Sequence, residues 1–206
     1  MPLLIKYTVP RLGVWKIEES SDELFALLEC GEEYLPELEN LRSENRRQEW
    51  LASRKLFQEM FGGFSRISYR LSGAPYLPGQ SLHISISHTK GYAAVLLQEH
   101  PVAGVDIEYR SNRVLKVRSR FMSPEEEACL DKEHEAEHLL LHWCAKETLF
   151  KMIGQEEVDF CRHLHVCPFQ YAESGSFTVN ETRSEHPQQY HLYFRVFPEF
   201  VLTWSQ

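Results

Sequence analysis

Apolar and polar positions alternate with several different periods along the chain, and each change of period marks an element. The opening segment, MPLLIKYTVPRLGVW, is an apolar patch of β-type composition and reads as a first strand. Ser20-Ser21-Asp22-Glu23 before LFALLEC predicts an N-cap and a short helix closed by Gly31. After Pro36, apolar residues from Leu38 to Phe61 recur at roughly helical spacing, which predicts a helix from about Glu37 to Phe61, ended by Gly62-Gly63. Short β-type runs follow: RISYRL, LHISISH, YAAVLLQ and VAGVDIEY, separated by GAPYLPG, a Thr-Lys-Gly turn and a His-Pro break. Ser123-Pro124-Glu125-Glu126 is a helix start, with Ser at the cap and Pro at the first helical position. A further helix is predicted over about Glu135 to Ile153, stopping at Gly154. From Phe160 to Trp204 the pattern alternates and reads as three or four strands.

Strands and helices therefore follow one another in blocks, which predicts an α+β fold. One local repeat hints at duplication. Trp50-Leu-Ala-Ser-Arg-Lys-Leu-Phe57 and Trp143-Cys-Ala-Lys-Glu-Thr-Leu-Phe150 share W-x-A-x-x-x-L-F without a gap, each late in a helix that ends near Gly. A duplicated α+β unit is the expectation.

Composition narrows the class. Apolar residues make up 43% and aromatic residues 12% of the 206, enough for a packed core and against wholesale disorder. No apolar run is long enough to cross a bilayer, and the start lacks the basic-then-apolar pattern of a signal peptide. A cytoplasmic protein without membrane contact is expected. The five cysteines are scattered and form no C-x-x-C pair, as for free thiols in a reducing compartment. The net charge of −8 argues against a surface coated for nucleic acid.

Three local patterns could carry chemistry. In Gly104-Val105-Asp106-Ile107-Glu108, alternation puts both acids on one strand face, about 6–7 Å apart. Two such carboxylates repel each other unless a cation stands between them, and Mg²⁺ suits an all-oxygen ligand set. A merely solvated acidic face is the alternative. In Trp143-Cys-Ala-Lys146-Glu147-Thr-Leu-Phe-Lys151, Glu147 and Lys151 share a helix face with Trp143 one turn earlier. Glu147 is either half of a surface ion pair or a third carboxylate for the same cation, and the lysines could meet phosphate as point charges. In Ser85-Ile86-Ser87-His88, hydroxyls and an adjacent imidazole suit an anionic ligand. A serine nucleophile is disfavoured, because no G-x-S-x-G turn accompanies it.

Taken in order, GAPYLPG (residues 73–79), SISH (85–88), GVDIEYR (104–110), FMSPEEE (121–127) and WCAKETLFKMIG (143–154) resemble the 4′-phosphopantetheinyl transferases, specifically the long, monomeric type that acts on carrier proteins. The resemblance implies two α/β halves related by a pseudo-twofold, each a small, mostly antiparallel sheet with a long helix. The halves would be residues 1–103 and 104–206, forming one unit with the active site between them. It implies transfer of the 4′-phosphopantetheine of coenzyme A to a serine of an apo acyl or peptidyl carrier protein, with Mg²⁺, or Mn²⁺ in its place. Asp106, Glu108 and Glu147 would hold the metal, and Glu147 would also be the general base. Lys151 would meet the pyrophosphate, with Lys146 in support. Ser87 and His88 would meet the nucleotide phosphates, and Gly73 and Pro75 would lie beside the adenine. The family usually has Gly-Lys-Pro where this chain has Gly73-Ala74-Pro75, so Arg70 is expected to replace the missing cation. Among Arg46, Arg47 and Arg54, Arg47 is the preferred nucleotide contact.

Arg110, Arg113, Lys116, Arg118 and Arg120 fall within eleven residues that contain no acid. Carrier proteins are typically acidic, so this strip is the expected dock, with Arg113, Leu115, Lys116 and Phe121 as its contacts. Rival classes are a Mg²⁺-dependent phosphohydrolase or nuclease on the same acids, and a carrier-binding module without activity. Cys161, His163, His165 and Cys167 alternate like a strand face. Their six-residue span of about 20 Å is too long for one tetrahedral zinc. His134, His138 and His142 form a helix stripe expected to be solvated.

Overall fold

The computed structural model describes residues 2–154 and 156–206. The chain divides into two compact units, Met1–Pro101 and Val102–Gln206.

The first unit opens with a hairpin rather than a single strand. β1 (Leu3–Tyr7) and β2 (Arg11–Lys16) pair antiparallel, because Val9-Pro10 interrupts the ladder with a residue that has no N–H to donate. Then come α1 (Ser21–Ala26), α2 (Leu35–Glu39), α3 (Glu44–Phe61), β3 (Ser68–Tyr69), β4 (Pro75–Tyr76), β5 (His83–Thr89) and β6 (Tyr92–Gln98). Ser20 caps α1 in a capping box with Glu23, as its sequence predicts. That helix ends at Ala26, well before Gly31. The long helix expected from about Glu37 is two helices. Asn40 ends α2, and Ser43, in extended conformation, restarts the chain at α3. Four strands form an antiparallel sheet in the order β1-β2-β6-β5, and among the described residues the RISYRL run forms a strand only at Ser68–Tyr69, in the small β3–β4 ladder. Leu56 and Phe57 of α3, with Val95 and Leu97 of β6, lie in one apolar core. A methyl group at Gly13 of β2 would lie 2.6 Å from Met60 Sδ, so that glycine lets α3 approach the sheet.

The second unit runs β7 (Val105–Tyr109), α4 (Arg113–Val117), α5 (Pro124–Ala128), α6 (Glu135–Ile153), α7 (Phe160–His163), β8 (Leu164–Val166), β9 (Ser174–Glu181), β10 (Gln188–Val196) and β11 (Phe200–Ser205). A 3-10 turn over Arg118–Arg120 follows α4. The five strands are antiparallel in the order β7-β11-β10-β9-β8. α6 packs on this sheet. Leu139, Leu141, Ala145 and Leu149 meet Phe177, Val179 and Val201 in the core. Its predicted bounds hold, and Gly154, with φ +57°, closes it in the left-handed conformation that glycine adopts without strain.

Two readings of the sequence are corrected here. Cys161 and His163 lie on α7 and His165 on β8, so the Cys/His alternation is not one strand face. His138 and His142 are buried, at 1% and 2% exposure, not solvated. Both rings pack against Phe169, whose approach on the loop after β8 could not be read from helix periodicity. Among the described residues no helix is long and apolar enough to cross a membrane.

Candidate active site

In the second sheet β7 pairs antiparallel with β11, with Asp106 opposite Thr203 and Glu108 opposite Val201. Thr203 is buried on the face that α6 covers: its hydroxyl donates to the carbonyl of Cys144 (3.0 Å) and lies 2.6 Å from the Thr148 hydroxyl. Strand parity places Asp106 and Glu108 on that same face. Val105 and Ile107, on the opposite face, are buried.

The helix comes unusually close at this point. A Cβ on Gly104 would fall 2.5 Å from Met152 Cγ and 2.7 Å from the Thr148 carbonyl. The glycine beside the first acid is therefore what permits α6 to lie against the start of β7. Sequence reading placed Gly104 in the motif without assigning it this role.

On α6, Trp143, Glu147 and Lys151 lie one turn apart on the face toward β7. Lys151 Nζ donates to Asp106 Oδ1 (2.7 Å) and to the Val105 carbonyl (2.9 Å). The Trp143 indole N–H donates to Glu108 Oε1 (2.9 Å). Glu147 feels both acids. Burial, then the negative charge of Asp106, raises its carboxyl to about 7 against the partial relief of Lys151, with Glu108 adding to the rise. Asp106 itself is 4% exposed. The buried thiol of Cys144, beneath these acids, is pushed well above its usual range, chiefly by desolvation.

Three carboxyls, two of which disfavour the charge of Glu147, form an all-oxygen, anionic donor set whose chemistry fits a hard divalent cation. In this conformation no three His, Cys, Asp or Glu side chains among the described residues are grouped closely enough to hold a metal ion. Lys151 and Trp143 engage the two strand acids instead. The donors fit such a cation, while Lys151 and Trp143 at present take up one oxygen of each strand acid.

Lys146 departs from expectation. It is wholly buried, and its ammonium donates to the Phe121 carbonyl, to Glu126 Oε2 (2.7 Å) and to the Phe160 carbonyl (3.0 Å). All three of its protons are used, so no donor remains for a phosphate. Burial lowers its pKa, and Glu126 opposes that shift. Glu126 also accepts from the backbone N–H groups of Ser123 and Val166 (2.8 Å each), so the Lys146–Glu126 pair ties the start of α5 and β8 to α6. Phe121 departs likewise. It is completely buried, edge-on to Trp143 with ring centres 5.2 Å apart, and belongs to the core rather than to a docking surface. Arg113 and Lys116 are exposed on α4, and Leu115 is half-buried beside them. Arg118 pairs with Glu127 and Glu135, and Arg110 pairs with Glu137, so part of the basic strip is neutralised locally.

In the first unit, Arg47 is half-buried and its Nε donates to the Leu41 carbonyl (2.7 Å). Arg54 is buried with its guanidinium 3.6 Å over the Trp50 ring, which withdraws it from any exposed ligand. Arg70 is exposed, 5.2 Å from the centre of the Tyr76 ring, and Gly73 closes the β3–β4 turn at φ +82° before Pro75. Ser87 is 7% exposed, and His88 Nδ1 stands 3.3 Å from Glu49 Oε2 on α3.

A strand bearing two carboxylates is thus faced by a helix bearing Glu and Lys one turn apart. The family model for the 4′-phosphopantetheinyl transferase superfamily matches residues 103–204, nearly the whole of the second unit. That match, together with the ordered motifs, makes the second unit similar to this superfamily. A curated 4′-phosphopantetheinyl transferase of Bacillus subtilis is 29% identical over 87 residues, covering 40% of this chain and 38% of that protein.

Proposed function

We propose that the chain transfers the 4′-phosphopantetheine of coenzyme A to a serine hydroxyl of an apo acyl or peptidyl carrier protein and releases 3′,5′-ADP. The observation that carries this reading is the set formed by Asp106 and Glu108 on β7, with Glu147 and Lys151 facing them from α6. Its support is the superfamily match over residues 103–204.

Asp106, Glu108 and Glu147 would hold Mg²⁺, or Mn²⁺ in its place, and a divalent ion so bound would neutralise charge on the pyrophosphate. Glu147, with its carboxyl near 7, is suited to accept the proton of the carrier serine at neutral pH. The deprotonating oxygen attacks the β-phosphorus, the bond to the leaving phosphate breaks, and the nucleotide departs. Lys151 lies at the Asp106 end of the face, where an ammonium can meet the pyrophosphate as a point charge. In the first unit Arg47, Arg70, Gly73, Pro75, Ser87 and His88 are the proposed coenzyme contacts. Arg113, Leu115 and Lys116 are the proposed carrier contacts.

The decisive assay incubates the chain with coenzyme A, Mg²⁺ and an apo carrier protein and reads the carrier's intact mass. Addition of one phosphopantetheine group is expected. Release of phosphate without carrier modification would sink the proposal in favour of a hydrolase. Carrier binding without any product would point to a binding module. Glu147→Gln should lower the rate of carrier modification by at least about 100-fold, the usual minimum for a lost acid–base group. A measured metal affinity in the same variant would tell a ligand from a base.

A further inference from the structure

Trp143, Glu147 and Lys151 recur every four residues, so their side chains stack on one face of α6. The helix crosses β7 in the antiparallel sense. Lys151 meets Asp106 and the Val105 carbonyl at one end, and Trp143 meets Glu108 at the other. Glu147 falls between these two donors. Each strand acid is thus tied by a hydrogen bond to the helix that carries the third acid.

The two ties differ in kind. A lysine ammonium is a mobile point charge on a four-carbon stem. An indole N–H is a donor only, on a rigid ring. The Trp143 ring is fixed edge-on to the wholly buried Phe121 at 5.2 Å and tilted against Phe160 at 5.6 Å. A ring clamped in this way cannot follow the Glu108 carboxylate, which has three rotatable bonds. The carboxylate must follow the ring.

We infer that Trp143 is a positioning residue, whose indole N–H keeps the Glu108 carboxylate on the face toward α6, from which it would join Asp106 and Glu147 about a divalent cation. The inference rests on the reading of these three acids as a ligand set. Partners that orient a ligand from outside the coordination sphere commonly govern metal affinity by about 10- to 100-fold. A tryptophan that served packing alone would change stability and leave metal affinity untouched.

The test removes the N–H and keeps the ring. Trp143→Phe does so with a smaller side chain. Incorporating the benzothiophene analogue of tryptophan at position 143 does so at full size, with sulfur in place of the N–H, so that folding is preserved if the phenylalanine variant fails. Mn²⁺ binding to the full chain with coenzyme A present is followed by electron paramagnetic resonance, beside the Mg²⁺ concentration giving half-maximal transfer. Mn²⁺ binding should weaken by about 10- to 100-fold in both variants. In a Glu108→Gln background the same substitution should add less than about twofold, because the two side chains act as one unit. Affinity within about twofold of wild type in the benzothiophene variant, or an undiminished loss in the Glu108→Gln background, overturns the inference alone. A wild-type chain that binds no Mn²⁺ overturns the ligand-set reading and the inference with it.

Discussion

His142 shows how far one residue can depart from its sequence neighbourhood. It lies on a helix segment rich in charge, yet its ring is 2% exposed against Phe169, and its Nδ1 lies 2.9 Å from the His138 carbonyl. Burial lowers its pKa to about 4. The unfolded chain, with an ordinary histidine near 6.5, binds the proton more readily than the folded chain between these values. Stability should therefore fall as pH drops from about 6.5 to about 4, by about 3 kcal/mol from this group. Buried His138, also lowered by desolvation, acts in the same direction. Urea midpoints measured across that window should show a shallower slope in His142→Leu; an unchanged slope would assign the acid sensitivity elsewhere. At the same scale Lys146 and Glu147 are adjacent in sequence and opposite in role. One points into the core and is consumed by three protein acceptors, while the other faces β7 half-buried. Their one-residue offset, 100° around a helix, separates an anchor from a candidate base.

Elements explain why the site sits where it does. α6 can reach β7 because Gly104 leaves room at Met152 and Thr148. Gly104→Ala should force a shift of the helix, cost about 1–3 kcal/mol as overpacking does, and lower carrier modification more than stability alone requires. Thermal melting and transfer rates on the same preparation would check both. The Lys146–Glu126 pair joins α6 to α5 and β8 through a charge at 0% and a carboxylate at 4% side-chain exposure. Lys146→Met would leave a buried carboxylate uncompensated and should cost about 3–5 kcal/mol, whereas adding Glu126→Gln should recover part of that loss. Denaturant unfolding of the single and double variants would show it, and equal losses in both would refute the pairing argument. The shared W-x-A-x-x-x-L-F stretch falls on α3 and α6, each closed by a glycine at positive φ and each packed on the sheet of its unit. At the position where α6 carries Glu147, α3 carries Arg54, stacked on Trp50 and buried. The two helices thus carry opposite charge at this position of the shared stretch.

For the whole molecule, charge matters most. A chain at −8 repels an acidic partner at long range, so the proposed carrier docking would rely on a local exception. Arg113 and Lys116 are exposed and make no ion pair among the described residues, while Arg110 and Arg118 are already paired. Reversing both charges, Arg113→Glu with Lys116→Glu, should raise the KM for carrier protein by about tenfold and leave coenzyme binding unchanged, with the difference shrinking as salt screens it. A KM that does not move would exclude this strip as the dock.

What the sequence determined by itself is largely local. Capping at Ser20 and Ser123, the bounds of α6, and the shared face of Asp106 and Glu108 follow from chemistry within a few residues and from the fixed periods of helix and strand. The ordered motifs likewise drew attention to Glu147 and Lys151. Tertiary structure decided everything that depends on what lies across a gap. Phe121 and Lys146 became core rather than surface, and His138 and His142 became buried, because segments distant in sequence close over them. Trp143 became the partner of Glu108 across 35 positions. Helix periodicity tells which residues share a face, but not which face meets a neighbour. That choice is made when the sheet and the helix bury their apolar surfaces together, and here it sets the orientation of each acid in the candidate site.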